Sequence, residues 1–139
     1  MMVRIQPWMH GFLLVAGIYN LAWGLFIYVF PKAFFRWLTA SQEAADQLVV
    51  YQGIGVLMFG ILYILTALWP VRFWYLALTG LLSKVFGGMA VYFFIVDKTV
   101  TKQFIFHLLV NDLAWVTPLA FITYRAFKLH KHYLYEKAA

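Results

Sequence analysis

Lys84 and Asp112 are the residues of this chain best placed to do chemistry, because each falls near the middle of a long apolar stretch. An ionisable side chain at the centre of a membrane-crossing helix costs roughly 2.5–3.5 kcal/mol on insertion scales. Such groups persist where they pair with one another or line a polar cavity. An ammonium beside a carboxylate can hold a polar ligand headgroup or relay a proton. Lys84 would attract an anionic or carbonyl group, and Asp112 would balance its charge or exchange its proton. Asn20, Gln52 and Asn111, polar residues also set within the apolar spans, would orient the ligand. The competing reading is a plain ion pair that pins one helix to the next. Interhelical polar contacts in membranes average only about 0.6 kcal/mol, a weak reason to bury two charges. We therefore expect a ligand-binding or proton site at Lys84, Asp112, Asn111, Asn20 and Gln52, with no catalytic residue and no metal ligand assigned.

Four apolar spans must carry these residues. Hydrophobic residues make up 65% of the chain and charged residues 12%, and the mean hydropathy is +0.80. A water-soluble domain of this length exposes too much of its surface to hide that composition. The spans run from about Trp8 to Phe30, Leu48 to Trp69, Phe73 to Val96 and Gln103 to Tyr124. Each is close to the roughly 20 residues needed to cross the hydrocarbon as a helix. Transmembrane strands are shorter and alternate in polarity, which these spans do not. The first is too long for a cleavable signal segment and has no small-residue cleavage site at its end, so it reads as retained. The expected fold is an all-α, integral membrane four-helix bundle running up-down-up-down in a single domain.

The connections fit that order. Pro7 opens the first helix, and Pro31 and Pro70 follow the first and second. Residues 31–47 form the longest connection, read as a short helix at the interface. The links around Pro70–Arg72 and Asp97–Lys102 are tight. Residues 125–139 form a basic tail suited to anionic headgroups. With four crossings both termini share a side. That side holds Arg4, Arg72, Arg125, Lys128, Lys131 and Lys137, against Lys32, Arg36, Lys98 and Lys102 on the other. The bias places both termini in the cytoplasm. The net charge of +6 is not gathered into a patch of the kind that binds nucleic acid, so no nucleic-acid partner is expected.

Counting about 1.5 Å per residue from the span ends brings Asn20, Lys84 and Asp112 to the same mid-membrane depth. Leu13, Gly17, Asn20 and Gly24 share one stripe of the first helix, and Gly80, Lys84, Gly87 and Gly88 share one on the third. Small residues around a polar one let a neighbouring backbone close over it. Pro118 leaves the Ala114 carbonyl without its helical donor. Gln52 and Tyr51 are placed nearer the outer surface, along a route inward. Gly53, Gly60 and Ala67 make a smooth stripe on the second helix, suited to internal packing or to a homo-oligomer. Gly17, Gly24 and Pro31 weakly echo Gly53, Gly60 and Pro70. Trp8, Trp37, Trp69 and Trp74 fall at span ends as interfacial anchors. Trp23 and Trp115 fall near mid-membrane, where an indole N–H needs an acceptor.

The absence of cysteine excludes disulfides, thiol catalysis and thiolate metal sites. His10 and His107 fall near opposite surfaces, so one haem iron cannot take both. Each reads as a wet polar tip, and no cofactor is assigned.

The segments Tyr51–Gly55 (YQGIG), Gly80–Gly88 (GLLSKVFGG) and Asn111–Pro118 (NDLAWVTP) resemble a family of small, uncharacterised four-helix bacterial membrane proteins. Members often carry the label alkyl hydroperoxide reductase, which implies redox-active cysteines that this chain lacks. The family usually has Gly-Pro after the lysine motif, where this chain has Gly87–Gly88, and an aromatic where it has Leu119. The first helix is loosely similar to DoxX-like proteins. The resemblance treats Lys84, Asn111 and Asp112 as a unit in a bacterial inner membrane. The leading expectation is a bundle that encloses a small polar or anionic ligand. The alternative is an accessory or assembly subunit of a larger membrane complex, such as a respiratory one, docking through its helices. An enzyme acting on lipid or quinone, with haem on His107, ranks last.

Overall fold

The computed structural model describes residues 4–45 and 47–138. Residue 46 of the expected interfacial connection and residue 139 of the expected tail lie outside them. The elements are helices α1 (Pro7–Val29), α2 (Pro31–Thr39), α3 (Gln47–Leu68), α4 (Trp74–Ala90), α5 (Lys102–His107) and α6 (Ala114–Ala138). A π-helical segment, Val91–Ile95, extends α4, and a second, Leu108–Leu113, joins α5 to α6. No strand occurs among the described residues. Four helical runs are long and apolar enough to cross a membrane: Pro7–Val29, Gln47–Leu68, Trp74–Ile95 and Lys102–Ala138. The fold is therefore the expected all-α bundle.

The last run departs from expectation. The helix does not end near Tyr124 but continues to Ala138. Beyond Pro118 no glycine or proline interrupts it, and its Lys, Arg, Ala and Leu residues favour helix. At 37 residues it is about 55 Å long, well beyond the roughly 30 Å of hydrocarbon.

Glycines decide which helices lie closest. Gly17 of α1 faces Gly60 of α3, and Gly24 faces Gly53, at heptad intervals on antiparallel helices. A Cβ on Gly24 would stand 2.6 Å from the Leu57 amide nitrogen, and one on Gly17 would stand 2.9 Å from the Gly60 carbonyl. The weak echo between the first two spans is thus the two halves of one glycine contact, and the Gly53–Gly60–Ala67 stripe is spent on internal packing. The chain forms two antiparallel hairpins, α1 with α3 and α4 with the α5–α6 run.

The apolar core is divided. Met9, Leu13, Ala16, Tyr63, Ala67, Leu119 and Ile122 pack together at the end that holds both termini. There Arg125 Nε donates to the Arg4 carbonyl at 3.0 Å, and His10 Nδ1 lies 2.6 Å from the Ala67 carbonyl. Ile27, Phe34, Leu38, Val49, Val91, Val96 and Phe104 pack at the other end. The short helix α2 belongs to that second cluster. Pro31 starts it, and Ala40, in the left-handed region at φ 56°, ends it. The Thr101 hydroxyl donates to the Leu38 carbonyl at 2.6 Å and accepts from the Phe104 amide, so one side chain caps α5 and ties down α2. Between the two clusters lies a polar layer.

Candidate functional site

Lys84 and Asp112 each stand ten residues from the start of their helical run, and the two runs point in opposite directions. They therefore meet near half depth. Lys84 Nζ lies 3.8 Å from Asp112 Oδ1, and both side chains are buried. The ammonium donates to the Asn111 carbonyl at 2.7 Å and to Asn20 Oδ1 at 3.2 Å. Three helical runs thus converge on one lysine. A gap of 3.8 Å is too wide for a hydrogen bond. Two of the three N–H donors are engaged by protein, and the third is left for whatever comes between ammonium and carboxylate.

The π-helical segment explains how neighbours in sequence serve one site. In a regular α-helix Asn111 and Asp112 would point about 100° apart. In the wider turn of Leu108–Leu113 both are buried on the inner side. The Ala114 amide bonds the Leu109 carbonyl, five residues back, so local carbonyls lose their usual partners. The Trp115 indole takes one of them, donating to the Val110 carbonyl at 2.8 Å, and Lys84 takes another on Asn111. Trp115 thereby finds the acceptor its depth requires. Trp23 does not: its buried Nε1 has no partner among the described residues. Gly88 lets the fourth run approach, since a Cβ there would meet Leu108 Cδ1 at 2.8 Å. Gly80 gives the same room to the Tyr63 ring.

A cavity of about 430 Å³ reaches this cluster. Its walls come from α3 (Gln52, Val56, Phe59) and from α4 with its π extension (Phe86, Gly87, Val91, Phe94, Ile95), and its floor carries Asn20, Lys84, Asn111 and Asp112. All five residues expected to form the site line it. The cavity lies in the half of the bundle away from the termini and opens between α3 and α4. There Phe86 and Phe94 turn most of their surface outward, which in a bilayer means towards lipid. Mostly apolar walls with a few convergent polar groups are the usual make-up of a small-molecule site. Gly55 and Gly87 both border the space, and a Cβ on either meets nothing within 4 Å. Tyr51, placed beside Gln52 on the route inward, instead faces outward and is not part of the lining.

His107 corrects the sequence reading. It is 2% exposed rather than wet, it lines the cavity, and neither ring nitrogen has a hydrogen-bond partner. The Phe34 ring, 5.5 Å away edge-on, and the Trp23 ring, stacked at 6.0 Å, enclose it. Counting residues placed it five residues inside the start of its helical run, and that count says nothing of what covers it. The short helix expected after Pro31 is present as α2, but it folds back so that Phe34 covers the imidazole and removes the solvent. The four-residue step from His107 to Asn111 was the available signal, because it puts both on one helix face. Among the described residues no three metal-ligating side chains gather.

By length and composition these helices define a polytopic helical membrane protein. No protein-family model, curated protein or solved structure matches the chain.

Proposed function

We propose that this protein sits in a bacterial cytoplasmic membrane with both termini inside, and that its bundle binds a small polar or anionic ligand, or relays protons, at Lys84 and Asp112. The observation that carries this reading is the cavity that opens between α3 and α4 and ends on an ammonium with a donor to spare. A purely structural ion pair has no need of a passage to it. The bacterial assignment rests on the resemblance of the Gly80–Gly88 and Asn111–Pro118 segments, and the orientation on the distribution of Lys and Arg.

The test is chemical. Wild-type protein and Lys84→Met are purified side by side in mild detergent, and their bound small molecules are extracted and compared by mass spectrometry. A compound retained by the wild type and lost from a folded Lys84→Met supports the site. The same compounds in equal amounts on both proteins would show that Lys84 is not the binding group.

A further inference from the structure

We propose that the ligand of this cavity is a lipid-soluble ring compound with hydrogen-bonding oxygens at opposite ends, of the quinol or hydroxy-ketone kind, held at one end by Lys84 and Asp112 and at the other by His107 and Gln52. The inference rests on the binding reading above and specifies its ligand class.

The cavity has polar groups at two depths. Lys84, Asp112, Asn111 and Asn20 form the deeper level. Gln52 and His107 each stand five residues inside the start of their helices, so they share a shallower level nearer α2. Asn111 and Asp112 follow His107 by four and five residues, one wide π-helical turn further into the bundle. A six-membered ring with oxygens on opposite carbons bridges that interval, whereas a single small anion touches only one level. The polar atoms are also left unused. Gln52 Oε1, Asn111 Oδ1 and both nitrogens of His107 are buried without a partner, and all belong to residues lining this cavity. Buried polar atoms are ordinarily satisfied, so four orphans in one space call for a ligand that reaches both depths. At the deep end Lys84 has a spare N–H for a carbonyl or hydroxyl oxygen, and no described side chain donates to the Asp112 carboxylate. At the shallow end a neutral imidazole offers one donor and one acceptor, which suits a hydroxyl. Between the levels the walls are apolar and aromatic. The mouth opens sideways between α3 and α4, so a hydrocarbon tail can leave into lipid without crossing polar surface.

The experiment measures binding by calorimetry in detergent with two defined probes: a decyl-substituted 1,4-hydroquinone kept reduced, and a decyl-substituted phenol with one oxygen. The wild type is expected to bind the hydroquinone several-fold, up to about tenfold, more tightly than the phenol, the equilibrium worth of one added hydrogen bond. His107→Leu should erase that preference and leave phenol binding unchanged, while Lys84→Met should weaken both probes. If His107→Leu does not fold, Gln52→Leu removes a partner at the same depth and carries the same expectation. Equal affinity for the two probes, no binding of either, or a preference that survives both shallow-level substitutions overturns the two-ended ligand. Probe binding unaffected by Lys84→Met would overturn the mid-depth site itself.

Discussion

Lys84 is held by the Asn111 carbonyl, the Asn20 amide oxygen and the more distant Asp112 carboxylate, the first and last from adjacent residues of one helical run and the second from α1. Such an arrangement is sensitive to losing one partner and tolerant of losing the pair. Breaking a buried pair costs on the order of 3–5 kcal/mol, whereas replacing both members with apolar groups of similar size is often neutral. Lys84→Met and Asp112→Leu should each lower the melting temperature in detergent, and the double substitution should recover most of the loss. Asp112→Asn, which keeps an acceptor facing the ammonium, should cost less than Asp112→Leu. A double variant no more stable than the worse single would mean that the two charges do not act as a pair. At this scale much was readable beforehand. Asn20, Lys84 and Asp112 share a depth because helical rise is constant, so counting located them. His107 escaped because Phe34 and Trp23, far away in sequence, set its burial.

The helices owe their close approach to glycines, and the polar cluster owes its shape to the π-helical turn at Leu108–Leu113. A methyl on Gly24 would run into the Leu57 backbone, which cannot step aside as a flexible side chain would. Gly24→Ala should therefore cost about 1–3 kcal/mol in thermal unfolding, as forced overpacking does. Gly11→Ala meets nothing within 4 Å and should be neutral, or stabilising by up to about 1 kcal/mol. Equal penalties at the two positions would count against the α1–α3 contact. Gly87→Leu places its bulk where a Cβ meets nothing, beside the cavity, so it should leave the melting temperature near wild type while reducing hydroquinone binding at least tenfold. The four spans were legible as uninterrupted apolar runs of membrane-crossing length, and Pro31 and Pro70 marked their ends. The π turn at Leu108–Leu113 was not, because nothing in LLVND distinguishes an i→i−5 hydrogen bond from an i→i−4 one. The partner of each glycine stripe was equally hidden, since a smooth face says that something comes close without saying what.

Taken whole, the molecule has a long helical run that outreaches the bilayer at the end where both termini lie. With no native cysteine, a single introduced thiol reports its own location. In intact cells, Thr99→Cys in the link before α5 should react with a membrane-impermeant maleimide, and Glu136→Cys near the end of α6 should react only after permeabilisation. The reverse pattern would invert the orientation. The four long apolar helices could be read from hydropathy, whereas the division into two hairpins could not, because it depends on which faces meet. That division has a consequence for how the chain can be made. Each hairpin is stitched along its own length, and the link between them, Trp69–Phe73, takes no part in the cavity wall. Cutting the gene there and co-expressing residues 1–70 with 71–139 should yield two polypeptides that find each other in the membrane and co-purify as a working whole.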